Sequence, residues 1–172
     1  MRIGVVSDTH MPKFGAALPR ELRDGLVGAS VDLILHLGDI TGADVPDLFE
    51  AIAPLEAVAG NNDGPDLVAR FGRRKVVEVV GARIGMTHGD LGTGSTTPER
   101  AARSFGPDEV EVVLFGHSHA PLLERLPDGR WLLNPGSPTN KRMQSRYSWA
   151  LIDVRSARDI RPELRYFDDR SI

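Results

Sequence analysis

The chain contains no cysteine, and this absence excludes disulfide bonds, iron–sulfur clusters, thiol nucleophiles and zinc sites built from cysteine. No apolar run approaches the roughly 20 residues that a membrane-spanning helix needs. There is no internal repeat and no low-complexity segment, and a net charge of -3 suits neither a nucleic-acid coat protein nor a polybasic membrane binder. The first residues form a strand-like run broken by polar residues rather than a signal peptide, so we expect a cytoplasmic protein without membrane contacts.

What is present is the composition of an ordinary globular domain. The 172 residues are 41% hydrophobic and 26% charged. A chain of this length buries roughly 70% of its unfolded surface on folding, so it needs no cross-links to hold a core. We therefore predict a single domain spanning residues 1–172. The prevalence of symmetric assemblies makes a homo-oligomer a reasonable expectation.

Apolar periodicity predicts alternating strands and helices in the first part of the chain and hairpins in the second. Strands are predicted at residues 2–6, 31–37, 55–59, 75–80, 83–87, 110–115, 121–126, 130–133, 147–154 and 160–167. Helices are predicted at residues 19–27, 45–52 and 96–105, the last opened by a capping box of Thr96 and Glu99. This order predicts an α/β fold in which two sheets pack together with helices outside.

Polar residues of the kinds that bind metals follow five of these strands. In chain order they are Asp8, His10, Asp39, Asn61, Asn62, Asp63, His88, His117 and His119. In open α/β sheets, binding sites form beyond the carboxyl ends of the strands. Residues two apart on extended backbone point to the same side, so Asp8 with His10, and His117 with His119, could each be directed into one cleft.

This donor set combines imidazoles, carboxylates and an amide oxygen, with no sulfur. Mixed nitrogen and oxygen donors suit Mn²⁺, Fe, Zn²⁺, Co²⁺ or Ni²⁺ better than Ca²⁺ or Mg²⁺ alone. The donors outnumber those that one tetrahedral ion needs, so we expect two ions about 3.5–4 Å apart that share a carboxylate. With Asp8 and Asp39 as carboxylate ligands, such a centre would remain positive, attract a phosphate group and activate water.

Taken in order, these residues resemble the calcineurin-like metallophosphoesterases, and in particular their compact bacterial and archaeal phosphodiesterases. The resemblance covers about residues 2–137. Any one of its motifs alone is weak evidence for the family, but five motifs in this order are specific to it. The motifs are Asp8-Thr-His10, Gly38-Asp39, Gly60-Asn61-Asn62-Asp63, His88 and Gly116-His117-Ser118-His119, with the turn Asn134–Ser137 in support.

The resemblance implies a four-layer α-β-β-α sandwich that holds two divalent metal ions. Mn²⁺ is the usual activating ion, and Ni²⁺, Co²⁺, Fe, Zn²⁺ or Mg²⁺ would be alternatives. One ion would be held by Asp8, His10, Asp39 and His119, and the other by Asp39, Asn61, His88 and His117. The implied activity is hydrolysis of a small phosphate ester, most naturally a diester, by a hydroxide that bridges the ions. The implied catalytic positions are Asp39, Asn61, Asn62 and His88.

Asn62 departs from the family pattern, because many members carry histidine at this position. An amide can hydrogen-bond a phosphate oxygen but cannot shuttle a proton as an imidazole does. We therefore expect turnover to be best on esters with good leaving groups.

Two other functions use the same residues or the same fold. A phosphomonoesterase would need the same ions. The retromer scaffold subunit resembles this fold but has lost part of its catalytic site and acts through protein contacts. In this chain all seven ligand positions carry competent residues, which favours the enzyme.

Other polar residues have simpler structural interpretations. His36 lies within an apolar run and is expected in the core or beside a ligand, and Asp90 is expected to be a loop residue. The basic side chains of Lys141, Arg142 and Arg146 are expected to form a solvated surface, with contact to substrate as the alternative.

Overall fold

The computed structural model describes residues 1–172 and contains ten strands and four helices. The strands are β1 (Arg2–Val6), β2 (Leu33–His36), β3 (Leu55–Ala57), β4 (Arg74–Val79), β5 (Ala82–Thr87), β6 (Val112–Leu114), β7 (Leu122–Arg125), β8 (Trp131–Asn134), β9 (Tyr147–Ser156) and β10 (Asp159–Phe167). The helices are α1 (Arg20–Gly28), α2 (Val45–Glu50), α3 (Pro65–Phe71) and α4 (Thr97–Arg103). None of the four helices has the length and apolar character needed to cross a membrane.

Each half of the chain contributes most of one mixed sheet. The first sheet has the order β10-β9-β1-β2-β3, in which β1, β2 and β3 are parallel and β9 is antiparallel to both neighbours. The second has the order β4-β5-β6-β8-β7, in which β5, β6 and β8 are parallel and the outer strands belong to antiparallel hairpins. The final hairpin therefore returns to the first sheet and places β9 beside β1.

The two sheets pack face to face and the helices cover their outer faces. Apolar side chains of both sheets meet in a shared core that includes Ile3, Leu35, Ile84, Leu114 and Ile152. Helices α1, α2 and α3 pack on the first sheet through Leu22, Leu26, Phe49, Leu67 and Phe71. Helix α4 packs on the second sheet through Ala101, beside Phe105 and Phe115. The predicted four-layer α-β-β-α sandwich is confirmed.

Helix α3 is the element that the apolar pattern did not predict. Only Leu67 and Phe71 among its residues are buried, so its apolar stripe is too short to show helical periodicity. The predicted capping box at α4 is present, since the Glu99 amide donates to Thr96 Oγ1 at 3.3 Å. The strands β2, β3 and β6 are shorter than predicted.

Candidate metal centre

The loops that follow β1, β2, β3, β5 and β6 meet at one edge of the sandwich. Within the first sheet, the Asp8 amide donates to the Gly38 carbonyl at 3.0 Å, and the His10 amide donates to the Asp39 carbonyl at 2.9 Å. Between the sheets, the His117 amide donates to Asp8 Oδ2 at 3.0 Å. These bonds hold together side chains that are as far as 109 positions apart in the sequence.

The backbone at five predicted ligands is left-handed, not extended. The φ angles are 56° at Asp8, 43° at His10, 55° at Asp39, 66° at His117 and 59° at His119. The extended-strand argument for the two pairs was therefore wrong. Asp8 and His10 do reach one cluster, but His119 lies beside His10 while His117 lies beside His88. Each such residue costs on the order of 1 kcal/mol, and strain of this kind concentrates at functional sites.

One group of potential ligands consists of Asp8, His10 and His119. Asp8 Oδ1 lies 3.3 Å from His119 Nε2 and 3.9 Å from His10 Nε2, and the two Nε2 atoms are 3.2 Å apart. His119 Nδ1 donates to the Asn140 carbonyl at 2.5 Å, so its Nε2 presents a lone pair to the group. Ligands that each lie about 2.1 Å from one ion are roughly 3–3.5 Å from each other, which is close to the spacing of these atoms.

A second group consists of Asp8, Asp39 and His88. His88 Nδ1 donates to the Leu37 carbonyl at 2.7 Å, and its Nε2 lies 3.4 Å from Asp39 Oδ2. The same Asp39 oxygen lies 3.4 Å from His10 Nε2. Asp39 therefore stands between the two groups, where a carboxylate shared by two ions would be expected.

Two buried atoms of these groups have no hydrogen-bond partner, namely Asp8 Oδ1 and His88 Nε2. The other Asp8 oxygen is satisfied, because Ser7 Oγ donates to it at 2.6 Å and the His117 amide at 3.0 Å. A buried polar atom without a partner costs about 1–3 kcal/mol. A divalent cation would satisfy both atoms, so the residues fit a metal centre.

The pKa values of the second group reflect its negative charge. Burial raises the pKa of Asp8 to about 6, against the opposing charge of His88. Burial would lower the pKa of His88, but the Asp39 and Asp8 carboxylates outweigh it and raise that pKa to about 9. Burial also opposes ionisation of Asp39, yet its contacts with His88 and Asn62 hold its pKa below the usual range. A bound cation would replace the proton that the carboxylates retain on His88.

The remaining imidazoles are neutral at neutral pH. Burial lowers the pKa of His119 to about 4 and also lowers the pKa values of His10 and His117. A neutral imidazole has the free nitrogen lone pair that a metal ligand needs. These side chains can therefore bind a metal without first losing a proton.

The structure places Asn61, Asn62 and His117 at the mouth of the site. The Asn62 amide donates to Asp39 Oδ1 at 2.9 Å, and its Nδ2 donates to Asp39 Oδ2 at 2.7 Å. Asn61 is exposed. His117 is partly buried, with its ring centroid 5.1 Å from that of His88. Among the acidic residues and histidines, the structure thus groups Asp8, rather than His117, with Asp39 and His88.

The Asn134–Ser137 turn and the residues after it anchor the loop that carries Asp8. Ser137 Oγ donates to the Asp8 carbonyl at 2.8 Å, and Thr139 Oγ1 donates to the Thr9 carbonyl at 2.6 Å. Asn134 Nδ2 donates to the Gly116 carbonyl at 2.9 Å. The sequence indicated a turn here, but nothing in its pattern shows that these hydroxyls reach across to β1.

Acidic residues hold the loops on the other side of the site. Asp63 accepts from the Thr41 and Gly60 amides, each at 2.7 Å, and so joins the loops after β2 and β3. Asp90, expected to be a loop residue, forms an ion pair with Arg73, whose other terminal nitrogen donates to the Gly60 carbonyl at 2.8 Å. Arg73 was not predicted, because no spacing relates it to the site.

His36, Gly38 and Gly60 pack directly against the loops and side chains of the site. His36 is fully buried, accepts from the Gly38 amide at 3.2 Å and lies 3.1 Å from Thr9 Oγ1, as expected for a residue beside the ligands. A Cβ at Gly60 would lie 2.2 Å from Asp39 Oδ1, and one at Gly38, whose φ is 95°, would lie 2.7 Å from His88 Nδ1. Both positions therefore require glycine.

Known proteins share this sequence and architecture. A family model described as the calcineurin-like phosphoesterase superfamily domain matches residues 1–157. A probable metallophosphoesterase of Methanothermobacter thermautotrophicus is 36% identical over 148 residues, covering 83% of this chain and 80% of that protein. A structure described as a novel archaeal phosphodiesterase has a TM-score of 0.71 at 25% identity, covering 95% of this chain and 99% of that chain. Wild-type Vps29 of Entamoeba histolytica, complexed with Zn²⁺, has a TM-score of 0.77 at 22% identity, covering 98% of this chain and 100% of that chain. This likeness concerns the fold alone.

Proposed function

Because the chain belongs to the calcineurin-like phosphoesterase superfamily, we propose that it is a metal-dependent phosphodiesterase acting on small phosphate diesters. The observation that carries the proposal is the pair of unpartnered buried atoms, Asp8 Oδ1 and His88 Nε2, within the two groups of potential ligands. The archaeal phosphodiesterase of similar structure supports the diester in preference to the monoester.

We propose that two ions would be held by the residues that the sequence predicted. Asp8, His10, Asp39 and His119 would hold one, and Asp39, Asn61, His88 and His117 the other, with Asp8 also close to the second. When bound, divalent ions of this kind neutralise phosphate charge and activate water for in-line attack. We propose Mn²⁺ as the activating ion because the family resemblance implies it, and the sulfur-free nitrogen and oxygen donors are compatible with it.

The side chains around the ligands have separate tasks. The carbonyls of Leu37 and Asn140 fix the Nδ1–H tautomers of His88 and His119, so that each Nε2 is free to bind. Asn62, exposed beside Asp39, can donate to a phosphate oxygen but holds no transferable proton. The leaving group must therefore depart without a general acid from this position, which favours acidic alcohols such as nitrophenol.

The test compares bis(4-nitrophenyl) phosphate with 4-nitrophenyl phosphate, using metal-stripped protein titrated with Mn²⁺. We expect Mn²⁺-dependent turnover that favours the diester. Asp8→Asn and His88→Gln should abolish turnover and metal uptake while the circular dichroism spectrum stays unchanged. Retained turnover in either variant would refute the role of that residue.

The other outcomes select between the alternatives. Preference for the monoester would keep the metal centre and change the substrate class to phosphomonoesters. Metal binding without turnover of either ester would favour a non-catalytic scaffold, the function class proposed from the Vps29 likeness. Absence of metal binding would refute the enzyme proposal itself.

A further inference from the structure

The guanidinium of Arg73 joins the two sheets at the edge where the site lies. Arg73 lies between α3 and β4, where the chain crosses from the first sheet to the second. One terminal nitrogen donates to the Gly60 carbonyl at 2.8 Å, in the loop after β3 of the first sheet. The other forms an ion pair with Asp90, in the loop after β5 of the second sheet. The side chain therefore holds together one loop from each sheet.

Each of these loops carries a residue proposed to bind the same ion. Gly60 immediately precedes Asn61, and Asp90 follows His88 by two residues. The ion assigned to both Asn61 and His88 is here named the second ion. No hydrogen bond passes directly from one of these loops to the other. Arg73 is therefore the side chain that connects the segment of Asn61 to the segment of His88.

The ion pair of Arg73 and Asp90 is the most enclosed of the pairs that contain an arginine or a lysine. Its two side chains are 27% and 13% exposed, whereas every other such pair has a side chain that is more than 30% exposed. Solvent screens an enclosed pair less than an exposed one. Arg73 Nε is buried without a partner, which disfavours folding. Stability alone therefore does not account for an arginine at this position.

The charge of Arg73 and its bridging contacts have opposite effects on a bound cation. A positive charge repels a metal ion, so a purely electrostatic role predicts tighter binding of Mn²⁺ when that charge is removed. A bridging role predicts weaker binding, because Asn61 and His88 would no longer be held at the separation that one ion requires. The direction of the change in affinity therefore distinguishes the two roles.

We infer that Arg73 is a positioning residue that sets the separation of Asn61 and His88. It thereby sets the affinity for the second ion without contacting the ion or the substrate. This inference rests on the proposed function, because it takes both residues to be ligands of one ion. The other ion should not depend on Arg73, because the loop of Asp8 is joined to the second sheet by a separate bond, from Ser137 Oγ to the Asp8 carbonyl at 2.8 Å.

The experiment measures metal binding, so that it does not depend on turnover. Metal-stripped protein is titrated calorimetrically with Mn²⁺, and electron paramagnetic resonance distinguishes magnetically coupled pairs of Mn²⁺ from isolated ions. The variants are Arg73→Gln, Arg73→Lys and Arg73→Gln combined with Asp90→Asn, which leaves neither charge of the pair unpaired. The control is Arg74→Gln, which removes the same charge one position along the chain, from an exposed pair with Glu109.

We expect the wild-type protein to bind two ions and to give the coupled signal. Arg73→Gln should weaken one of the two ions about 10- to 100-fold, the effect typical of residues that orient metal ligands, and leave the other unchanged. At Mn²⁺ concentrations that fill both wild-type sites, this variant should give the signal of isolated ions. Arg73→Lys should recover part of the loss, since an ammonium can pair with Asp90 but lacks the planar fork that also reaches Gly60. The combined variant should match Arg73→Gln, and Arg74→Gln should match the wild type.

Each other outcome decides a separate question. Tighter binding in Arg73→Gln, equal weakening of both ions, or the same loss in Arg74→Gln would overturn the role of Arg73. Fewer than two ions in the wild type would overturn it as well, because there would be no second ion to position. If the expected pattern appears in a protein that hydrolyses neither nitrophenyl ester, the proposed enzymatic function fails and the role of Arg73 stands. If the esters are hydrolysed but Arg73→Gln binds both ions like the wild type, the function stands and the role of Arg73 fails.

Discussion

His88 Nε2 lies 3.4 Å from Asp39 Oδ2 in the interior of the site and has no hydrogen-bond partner. The orientation of this imidazole is set from its other side, where Nδ1 donates to the Leu37 carbonyl. A nitrogen lone pair and a carboxylate oxygen held this close require a cation between them, either a proton or a metal ion.

Metal binding should stabilise the protein strongly, because an ion would satisfy both unpartnered atoms, Asp8 Oδ1 and His88 Nε2. Mn²⁺ at 100 times its dissociation constant contributes about 2.7 kcal/mol. For a chain of this size the melting temperature should rise by roughly 5–10 °C. Differential scanning calorimetry of metal-stripped protein with Mn²⁺ tests this. Ca²⁺, which prefers oxygen ligands, should have a smaller effect, and His88→Gln should lose most of the shift. An unchanged melting temperature with Mn²⁺ would contradict the metal centre.

Gly60→Ala should displace Asp39, because the new Cβ would lie 2.2 Å from Asp39 Oδ1 and 2.4 Å from the Asp39 amide nitrogen. Overpacking of this severity costs about 1–3 kcal/mol. The expected result is lower stability in urea and weaker Mn²⁺ binding by calorimetry. The matched control is Gly28→Ala at the end of α1, where the space is open and the change should be neutral or slightly stabilising. Equal behaviour of the two variants would show that Asp39 has room to move.

His36 should make the metal-free protein sensitive to mild acid. Burial lowers the pKa of His36 from 6.5 to about 3, so the folded state takes up a proton only at a lower pH than the unfolded state does. The stability it contributes is complete above pH 6.5 and is lost as pH falls towards 3, with a loss of about 2 kcal/mol by pH 5. Urea unfolding of the wild type and of His36→Asn, each measured at neutral pH and at about pH 5, isolates this loss. Asparagine is the chosen replacement because its side-chain oxygen can still accept from the Gly38 amide. An identical pH dependence in both proteins would show that His36 is not the titrating group.

Asn62→His should extend the range of leaving groups, because imidazole can donate the proton that the Asn62 amide cannot. For a diester of an unactivated phenol, such as diphenyl phosphate, we expect kcat/KM to rise roughly 100-fold, the lower end of what a positioned general acid contributes. Turnover of bis(4-nitrophenyl) phosphate should change little. Asn62→Ala is the control, since it removes the 2.7 Å bond to Asp39 without adding an acid. Equal effects on both substrates would place the histidine elsewhere than at the leaving group.

Arg170 should stabilise the loops on the His10 side of the site. One of its terminal nitrogens donates to the Phe14 carbonyl at 3.0 Å and to the Thr139 carbonyl at 2.9 Å. A hydrogen bond from a charged group is worth about 1.5–3 kcal/mol, and both bonds here share one partly exposed nitrogen. Arg170→Ala should therefore lower the free energy of unfolding by about 1.5–3 kcal/mol in total. Arg165→Ala, which removes only an exposed pair with Glu163, should change it by less than about 0.5 kcal/mol. If both variants lost the same free energy of unfolding in chemical denaturation, Arg170 would not stabilise these loops.

The order of most elements and the identity of the polar residues at the strand ends could be predicted from the amino-acid sequence. Alternating apolar runs are a local property, so β1, β5 and the capping box of Thr96 were predicted from residues within a few positions of each other. The same local pattern placed Asp8, Asp39 and His88 just beyond strands, where parallel topology brings side chains together. It could not reveal α3, because two buried residues do not define a period.

How those residues are grouped, and which contacts hold them in place, depends on the packing of the whole fold. The left-handed backbone at Asp8 and His119 turns their side chains towards each other, and spacing along the chain carries no information about φ. The bonds from Ser137 to Asp8 and from Arg73 to Gly60 join segments 129 and 13 positions apart. Contacts of this kind depend on how the two sheets pack and on where the final hairpin returns, because they are made between loops that the fold alone brings within hydrogen-bond distance.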